Sequence, residues 1–171
     1  MSRRLRAPGA GFVNGAGVPV LIEESHALPM VDIELGFRTG SYADPEGKDG
    51  LARLLARMVR MGTKKQKGAD VEERIARLGA RLGVEVSGSS VRYQGTVIRK
   101  NLEPFVALLG ELIAAPALRA SDLAHVKRET LSDLVGMRDH DETLAARAFR
   151  DVLFGDHPYG RSIAGTTSTV R

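Results

Sequence analysis

The side chains with the widest chemical repertoire in this 171-residue chain are its four histidines, because neutral imidazole binds metal ions and transfers protons near neutral pH. They are scattered over predicted turns and helix surfaces, and no two have a spacing that suits one metal ion: His26, His125, His140 and His157. The chain contains no cysteine, which excludes disulfides and thiolate zinc sites. We therefore interpret the histidines as surface or helix-capping residues.

The sequence contains neither a hydrolytic serine triad motif nor a phosphate-binding loop motif. Ser121 and Ser132 lie near His125 on one predicted helix, but the chain has no nucleophile elbow and no third member for a hydrolytic triad. The stretch RTGSYADPEGKDG contains three glycines without the spacing of a phosphate-binding loop. This stretch is predicted to be a turn.

The segment GLARLLARMVRMGT, residues 50–63, predicts a helix with a basic side. At about 100° per residue, four apolar side chains share one side and three arginines lie in a narrow arc opposite. The apolar set is Leu51, Leu54, Leu55 and Met58, and the basic set is Arg53, Arg57 and Arg60. Taken alone, this pattern is typical of a helix that packs on a core and exposes its charged side. We expect the helix to end at Gly62, which suits a left-handed terminal position.

Strands are predicted on either side of this helix. VPVLIEES (18–25) is one, and MVDIELGFRTGS (30–41) is another, because alternate residues of the second are apolar and define a half-buried antiparallel strand. VEVSGSSVRYQGTVIRK (84–100) is predicted to form two strands or one bent hairpin, with Gly88 and Ser89 in the turn.

Four further helices are expected from apolar residues at helical spacing. The first runs from about Asp70 to Leu82, with Val71, Ile75, Leu78 and Leu82 on one side. The second carries Leu102, Phe105, Leu108, Leu109 and Leu112 and ends at Pro116. A long helix capped by Ser121 follows, and then one through TLAARAFRDVLF. Helices inserted among strands without regular alternation predict one α+β domain over 1–171, with a mostly antiparallel sheet covered by helices.

Composition narrows the possible partners and the location. No apolar run approaches 18 residues, and the basic start MSRRLRAPGAGF is not followed by an apolar stretch, so we expect no membrane span, no signal peptide and a cytoplasmic location. The net charge of +4 and pI of 9.7 come from residues spread along the chain, and only 5% are aromatic. No nucleic-acid motif is present, so a nucleic-acid partner is not expected.

Several segments, in order, resemble the pitrilysin or mitochondrial-processing-peptidase family of inverted zincins. FVNGAGVPVLIEESHALP resembles the first hairpin of that family, and FRTGSYADPEGKDGLARLLARMVRMGT its second strand and metal-binding helix. LEPFVALLGELIAAPAL and KRETLSDLVGMRDHDETLAARAF are similar to its later helices, and FGDHPYGRSIAGT to the turn after them. The resemblance covers nearly the whole chain. It implies the first of two tandem domains, and hence a fragment of a longer protein.

The resemblance also implies that the metal site of the family is lost in this chain. In the family the helix carries His-x-x-Glu-His, in which two histidines bind zinc and the glutamate is the general base. The matching positions here are Arg53, Ala56 and Arg57, and the third ligand, a glutamate in the family, matches Asp133, with Glu129 as the alternative register. Guanidinium groups have no lone pair for zinc. We expect no bound zinc, no catalysis, and an ion pair between Asp133 and the arginines.

Without catalysis, the resemblance still implies a role in peptide binding. In active relatives a peptide adds beside an edge strand, which aligns with GVEVSGSSV and places the candidate edge at Val84, Glu85, Val86 and Ser87. Gly83 stands where the family prefers asparagine. The implied function is a non-catalytic subunit that pairs with an active zinc-peptidase homologue, as a hetero- or homodimer, and helps to form a peptide-binding chamber. The alternative is a structural scaffold resembling the core subunits of the cytochrome bc complex.

Overall fold

The computed structural model describes residues 10–137 and 140–171. The chain divides into two compact units, one ending at Met30 and the other comprising Val31–Arg171. In the first, strands β1 (Ala10–Val13) and β2 (Pro19–Ile22) form an antiparallel hairpin. Its turn is closed by Asn14, whose side-chain oxygen accepts hydrogen bonds from two backbone N–H groups.

A second sheet has three strands: β3 (Met30–Phe37), β4 (Arg81–Val86) and β5 (Val91–Ile98). The strand order is β3-β5-β4, and β4 and β5 form an antiparallel hairpin. Thr96 donates a hydrogen bond to Asp32 at 2.6 Å and Gln94 donates one to Glu34 at 3.0 Å, so β3 and β5 also run in opposite directions. Strand β4 is therefore an edge of this sheet.

The described residues also form six α-helices: α1 (Leu51–Arg60), α2 (Gly68–Arg77), α3 (Leu102–Ala114), α4 (Ala120–Gly136), α5 (Asp141–Phe154) and α6 (Thr167–Val170). None of them combines the length and the apolar composition needed to cross a membrane. Antiparallel strands with helices packed on them make an α+β domain, so the predicted fold class is confirmed.

Helix α1 lies between two apolar clusters, which corrects the predicted apolar stripe. Leu54 and Met58 are buried against α4, whereas Ala56 and Val59 are buried in the cluster of α2, α3 and the sheet. Leu51 and Leu55 project between these two buried sides and are 42% and 49% exposed. The stripe was wrong at these two positions because the helix buries two separate faces instead of one. The predicted end of α1 at Gly62 is confirmed, because this residue adopts a left-handed φ of 112° just after the helix.

Two helix boundaries also differ from prediction. Helix α2 ends at Arg77 because Gly79 adopts a left-handed φ of 59°, and Leu82 is a buried residue of β4 instead of a helical one. Ser121 lies inside α4, whose cap position is Arg119, and it makes no capping contact. The turn prediction is confirmed, because the β4–β5 connection spans Ser87–Ser90, closed by a 2.8 Å backbone hydrogen bond.

Candidate functional site

The position of α1 is fixed at its N-terminus by a carboxylate from the preceding loop. Asp44 accepts hydrogen bonds from the backbone N–H groups of Gly50 and Ala52, both at 2.9 Å. Its side chain is buried, and this desolvation raises the pKa of the Asp44 carboxyl, while the N–H bonds act in the opposite direction. Gly50 has a φ of 92°, and a Cβ there would lie 2.9 Å from the carbonyl oxygen of Ala164. The start of the basic helix is therefore closely packed.

Two arginines on the basic side of α1, Arg53 and Arg57, face α4, whereas the third, Arg60, pairs with Glu72 of α2 at 2.7 Å. Arg57 makes most of the polar contact with α4. Its Nη2 donates to Glu129 Oε2 at 2.7 Å, and its Nη1 donates to Thr130 Oγ1 at 3.0 Å. The same Nη1 lies 3.5 Å from Asp133 Oδ2. Thr130 is only 1% exposed, so one arm of the guanidinium group reaches a buried hydroxyl while the other meets a carboxylate near solvent.

Arg53 completes this α1–α4 network more loosely. Its Nη2 lies 3.7 Å from Asp133 Oδ2, and the Asp133 side chain is 49% exposed. Asp133 is thus within ion-pair distance of both arginines, as the sequence analysis expected. Glu129, the alternative register for the third ligand, makes the shortest contact in the network. Asp133 therefore contacts both arginines, whereas Glu129 contacts Arg57 alone.

These residues do not fit a zinc ion. In the parts of the chain that the structure describes, no three His, Cys, Asp or Glu side chains converge on one point. The groups facing Asp133 are two cations, and an arginine has neither a lone pair to donate nor a proton that it loses near neutral pH. Arg53 and Arg57 would repel a divalent cation placed beside Asp133 and offer it no ligand. The residues at this position therefore do not support metal-dependent chemistry.

Ala56, which the resemblance matches to the general base, does not line the cavity beside the arginines. It is buried and lines an apolar cavity of about 420 Å³ together with Tyr93. The Tyr93 hydroxyl donates to the Ala56 carbonyl oxygen at 3.2 Å, and burial raises the pKa of Tyr93 to about 12. Alanine cannot take a proton, and this tyrosine stays protonated at neutral pH, so neither provides a base.

The candidate edge strand and the arginines line one cavity. It has a volume of about 560 Å³ and is bounded by the basic side of α1, by Asp133, and by the Gly83–Val86 segment of β4. Ser87 is not part of it. Its carbonyl oxygen accepts a hydrogen bond from the backbone of Ser41, which withdraws it from the free edge. The structure thus places the candidate peptide edge up to Val86 beside the arginines that the resemblance matches to metal ligands.

Sequence reasoning missed two members of the α1–α4 network. Thr130 interrupts an apolar row of α4, between Val126 and Leu134 at intervals of four residues, and this interruption was the available signal. His125 lies with its Nε2 3.3 Å from Glu129 Oε1, one helical turn away. Of the other histidines, His157 accepts a hydrogen bond from the backbone of Tyr159 through Nδ1.

Comparison with solved structures identifies the same fold. The inactive domain of an M16 peptidase from Pseudomonas fluorescens is similar with a TM-score of 0.87 and 24% identity, over 94% of this chain and 39% of that one. Pitrilysin is similar with a TM-score of 0.82 and 24% identity, over 94% of this chain and 17% of that one.

Curated relatives extend the likeness to sequence. A protein of Helicobacter pylori named non-peptidase homolog YmxG is 27% identical over 93% of this chain and 37% of its own length. The mitochondrial cytochrome b-c1 complex subunit 1 of Caenorhabditis elegans is 22% identical over 88% of this chain and 32% of its own length. The chain thus spans about a third of the length of these relatives. The family described as insulinase, peptidase family M16, matches residues 19–167. The chain therefore belongs to the insulinase family, peptidase family M16.

Proposed function

We propose that this chain is part of a non-catalytic member of the M16 family, in a longer two-domain protein that pairs with an active metallopeptidase subunit. The observation that carries the proposal is the α1–α4 network. Where the family binds zinc, Arg53 and Arg57 face Asp133 within 4 Å, and Ala56 replaces the base. This network, together with the apolar cluster of Leu54, Met58, Val126 and Leu134, joins α1 to α4 without a metal, so the domain can retain its shape while losing the catalytic groups.

The proposed contribution of this subunit is a peptide-binding wall. Strand β4 is an edge of its sheet, and its Gly83–Val86 segment opens into the 560 Å³ cavity beside the arginines. An extended peptide can add to such an edge through backbone hydrogen bonds. Gly83 and Glu85 lie on the exposed face of the sheet, and the place of β4 at the end of the strand order leaves its outer side without a partner strand among the described residues. The active partner would supply His-x-x-Glu-His chemistry across the chamber.

A purely structural scaffold is the second candidate, and the likeness to a cytochrome b-c1 subunit supports it. In that case the ionic α1–α4 network would only hold the fold together, and the β4 edge would be covered by another protein. The two candidates differ in whether peptides reach the cavity. They differ also in the kind of partner that copurifies with the full-length protein.

Mixing the full-length protein with an active homologue tests the proposal. Turnover of a fluorogenic peptide is measured for each protein alone and for the mixture. We expect no turnover by this protein alone and a faster rate in the mixture than with the active homologue alone. The matched control uses a homologue whose catalytic Glu is changed to Gln, which should remove the turnover entirely. An active homologue that works equally well alone, or that fails to associate, would favour the scaffold.

A further inference from the structure

A third cavity, distinct from the one at Ala56 and the one beside β4, is lined by three arginines. It has a volume of about 360 Å³ and lies among the end of α4, the first turns of α5 and the loop before α6. Arg53 reaches it from α1, and Arg147 and Arg150 reach it from α5. We call it the arginine cavity. The predicted loss of the metal site does not explain this cavity, because Arg53 is the only one of the site's residues that lines it.

The charge of the arginine cavity is poorly compensated by the described residues. Among residues 10–137 and 140–171, none that lines it is acidic. Of the carboxylates that the structure describes, Asp133 lies 3.7 Å from Arg53 and Asp151 lies 4.0 Å from Arg147, both near the outer limit of an ion pair. Arg147 and Arg150 are three residues apart on α5, a spacing at which like charges repel. An anion in the cavity would relieve this repulsion.

The remaining lining defines what kind of anion fits. Hydroxyl groups of Thr143, Ser162 and Thr167 provide neutral hydrogen-bond donors. Apolar side chains lie beside them, including Leu134, Leu144 and Ile163. This combination matches a carboxylate carried on an aliphatic stem, because guanidinium groups pair with planar carboxylates and the apolar wall accommodates methylene groups.

We propose that the arginine cavity binds a carboxylate of the peptide that lies along β4, and so selects acidic peptides. The proposal rests on the proposed function, since it takes the peptide edge as given. Arg53 and Ile163 line both the arginine cavity and the cavity beside Gly83–Val86, so the two spaces adjoin at these residues. A peptide on the edge strand can therefore place a carboxylate at Arg53, Arg147 and Arg150. That carboxylate is either its C-terminus or a Glu side chain.

Titration of the full-length protein with four matched peptides distinguishes these sources. One pair differs only in a C-terminal carboxylate against an amide, and the other only in an internal Glu against Gln. We expect at least one acidic member to bind about fivefold to tenfold more tightly than its neutral match, because charge-assisted hydrogen bonds are stronger than neutral ones. The preference should weaken as salt concentration rises.

Variants of the full-length protein locate the effect. Arg150→Gln should reduce the preference for the acidic peptide by about fivefold, whereas Arg150→Lys should retain part of it because the charge remains. Arg128→Gln is the matched control, since Arg128 is an exposed residue of α4 outside the cavity lining. Circular dichroism and thermal unfolding check that each variant folds, and Arg147→Gln provides a second removal of charge.

Each result decides between the two proposals. Equal binding of acidic and neutral peptides overturns the arginine cavity as a carboxylate site and leaves the peptide-wall function standing. An acidic preference unchanged in both Arg150→Gln and Arg147→Gln also overturns it. A preference lost in these variants, without stimulation of any active homologue, supports the cavity and contradicts the pairing function. If none of the four peptides binds, the arginine cavity is overturned as a carboxylate site, and stimulation of the active homologue decides the pairing function separately.

Discussion

Arginine–carboxylate contacts join α2 to α3 and α1 to α4, and these two contacts are built differently. Between α2 and α3, Arg74 forms two hydrogen bonds with one carboxylate, that of Glu111, at 2.7 and 3.1 Å. Between α1 and α4, the guanidinium group of Arg57 is divided among Glu129, Thr130 and Asp133, with Arg53 nearby. The first contact is a matched pair, whereas the second is a network around a cavity.

The two contacts differ in the number of charged groups that they bring together. The Arg74 hydrogen bonds lower the pKa of Glu111, and the same bonds raise the pKa of Arg74, as expected for a bidentate pair that stabilises both charged forms. At α1 and α4, two arginines share two carboxylates, and the resemblance matches Arg53, Arg57 and one of these carboxylates to the zinc ligands of the family. The distances between guanidinium and carboxylate groups range from 2.7 to 3.7 Å, and a cavity remains between these groups and β4.

Removing Arg57 should have the largest effect on stability. Arg57→Met leaves the buried Thr130 hydroxyl without this donor and the carboxylates of Glu129 and Asp133 without their main counterion. We expect a loss of about 1 to 3 kcal/mol, because removing a charged partner costs the desolvation of the groups left behind. Urea unfolding measures it.

The matched control for this change is Arg77→Met, which breaks an exposed pair within α2 with Glu73. That pair should contribute about 0 to 1 kcal/mol. Equal losses in Arg57→Met and Arg77→Met would mean that the network is no more than a surface ion pair.

Glu111→Gln should have a smaller effect that depends on pH. The folded-state pKa of Glu111 lies below its ordinary value of 4.5, so its contribution is present above that value and is lost as pH falls through the folded pKa. Because the side chain is 46% exposed, we expect only about 0.5 to 1 kcal/mol at neutral pH. Unfolding at pH 7 and at acidic pH measures it. The difference between the two proteins should shrink in acid, and a constant difference would contradict the pairing.

The smallest effect is expected for Asp133→Asn. Asp133 is half exposed, and Glu129 remains as a closer partner of Arg57, so the loss should be about 0 to 1 kcal/mol. Urea unfolding of the single variants and of a double variant with Glu129→Gln measures how the two carboxylates share the charge. A double variant whose loss equals the sum of the two single losses would show that the carboxylates act independently and would contradict the sharing of charge.

Local rules predicted much of the fold. The alternation in β3 and the glycine that ends α1 depend only on neighbouring residues, and both predictions were correct. The boundary of α2 was wrong although Gly79 was visible, because Leu82 continues the helical spacing past the point where the backbone turns. Periodicity alone therefore overestimates a helix that runs into a strand.

The site was less predictable because it depends on contacts distant in sequence. The pairing of Asp133 with the arginines followed from the family resemblance, since no local rule links residues 76 apart. Leu51 and Leu55 are exposed because two clusters contact α1 from different sides, which its own sequence does not reveal. Thr130 carried a local signal, but its role required knowing that Arg57 lies opposite.

Zinc content of the purified full-length protein tests the central claim most directly. Metal analysis after exposure to zinc and removal of excess ion should find well below one zinc per chain, because arginines cannot act as ligands. The same protein should not hydrolyse peptides by itself. About one zinc per chain, removed by a chelator and absent from Asp133→Asn, would contradict the account.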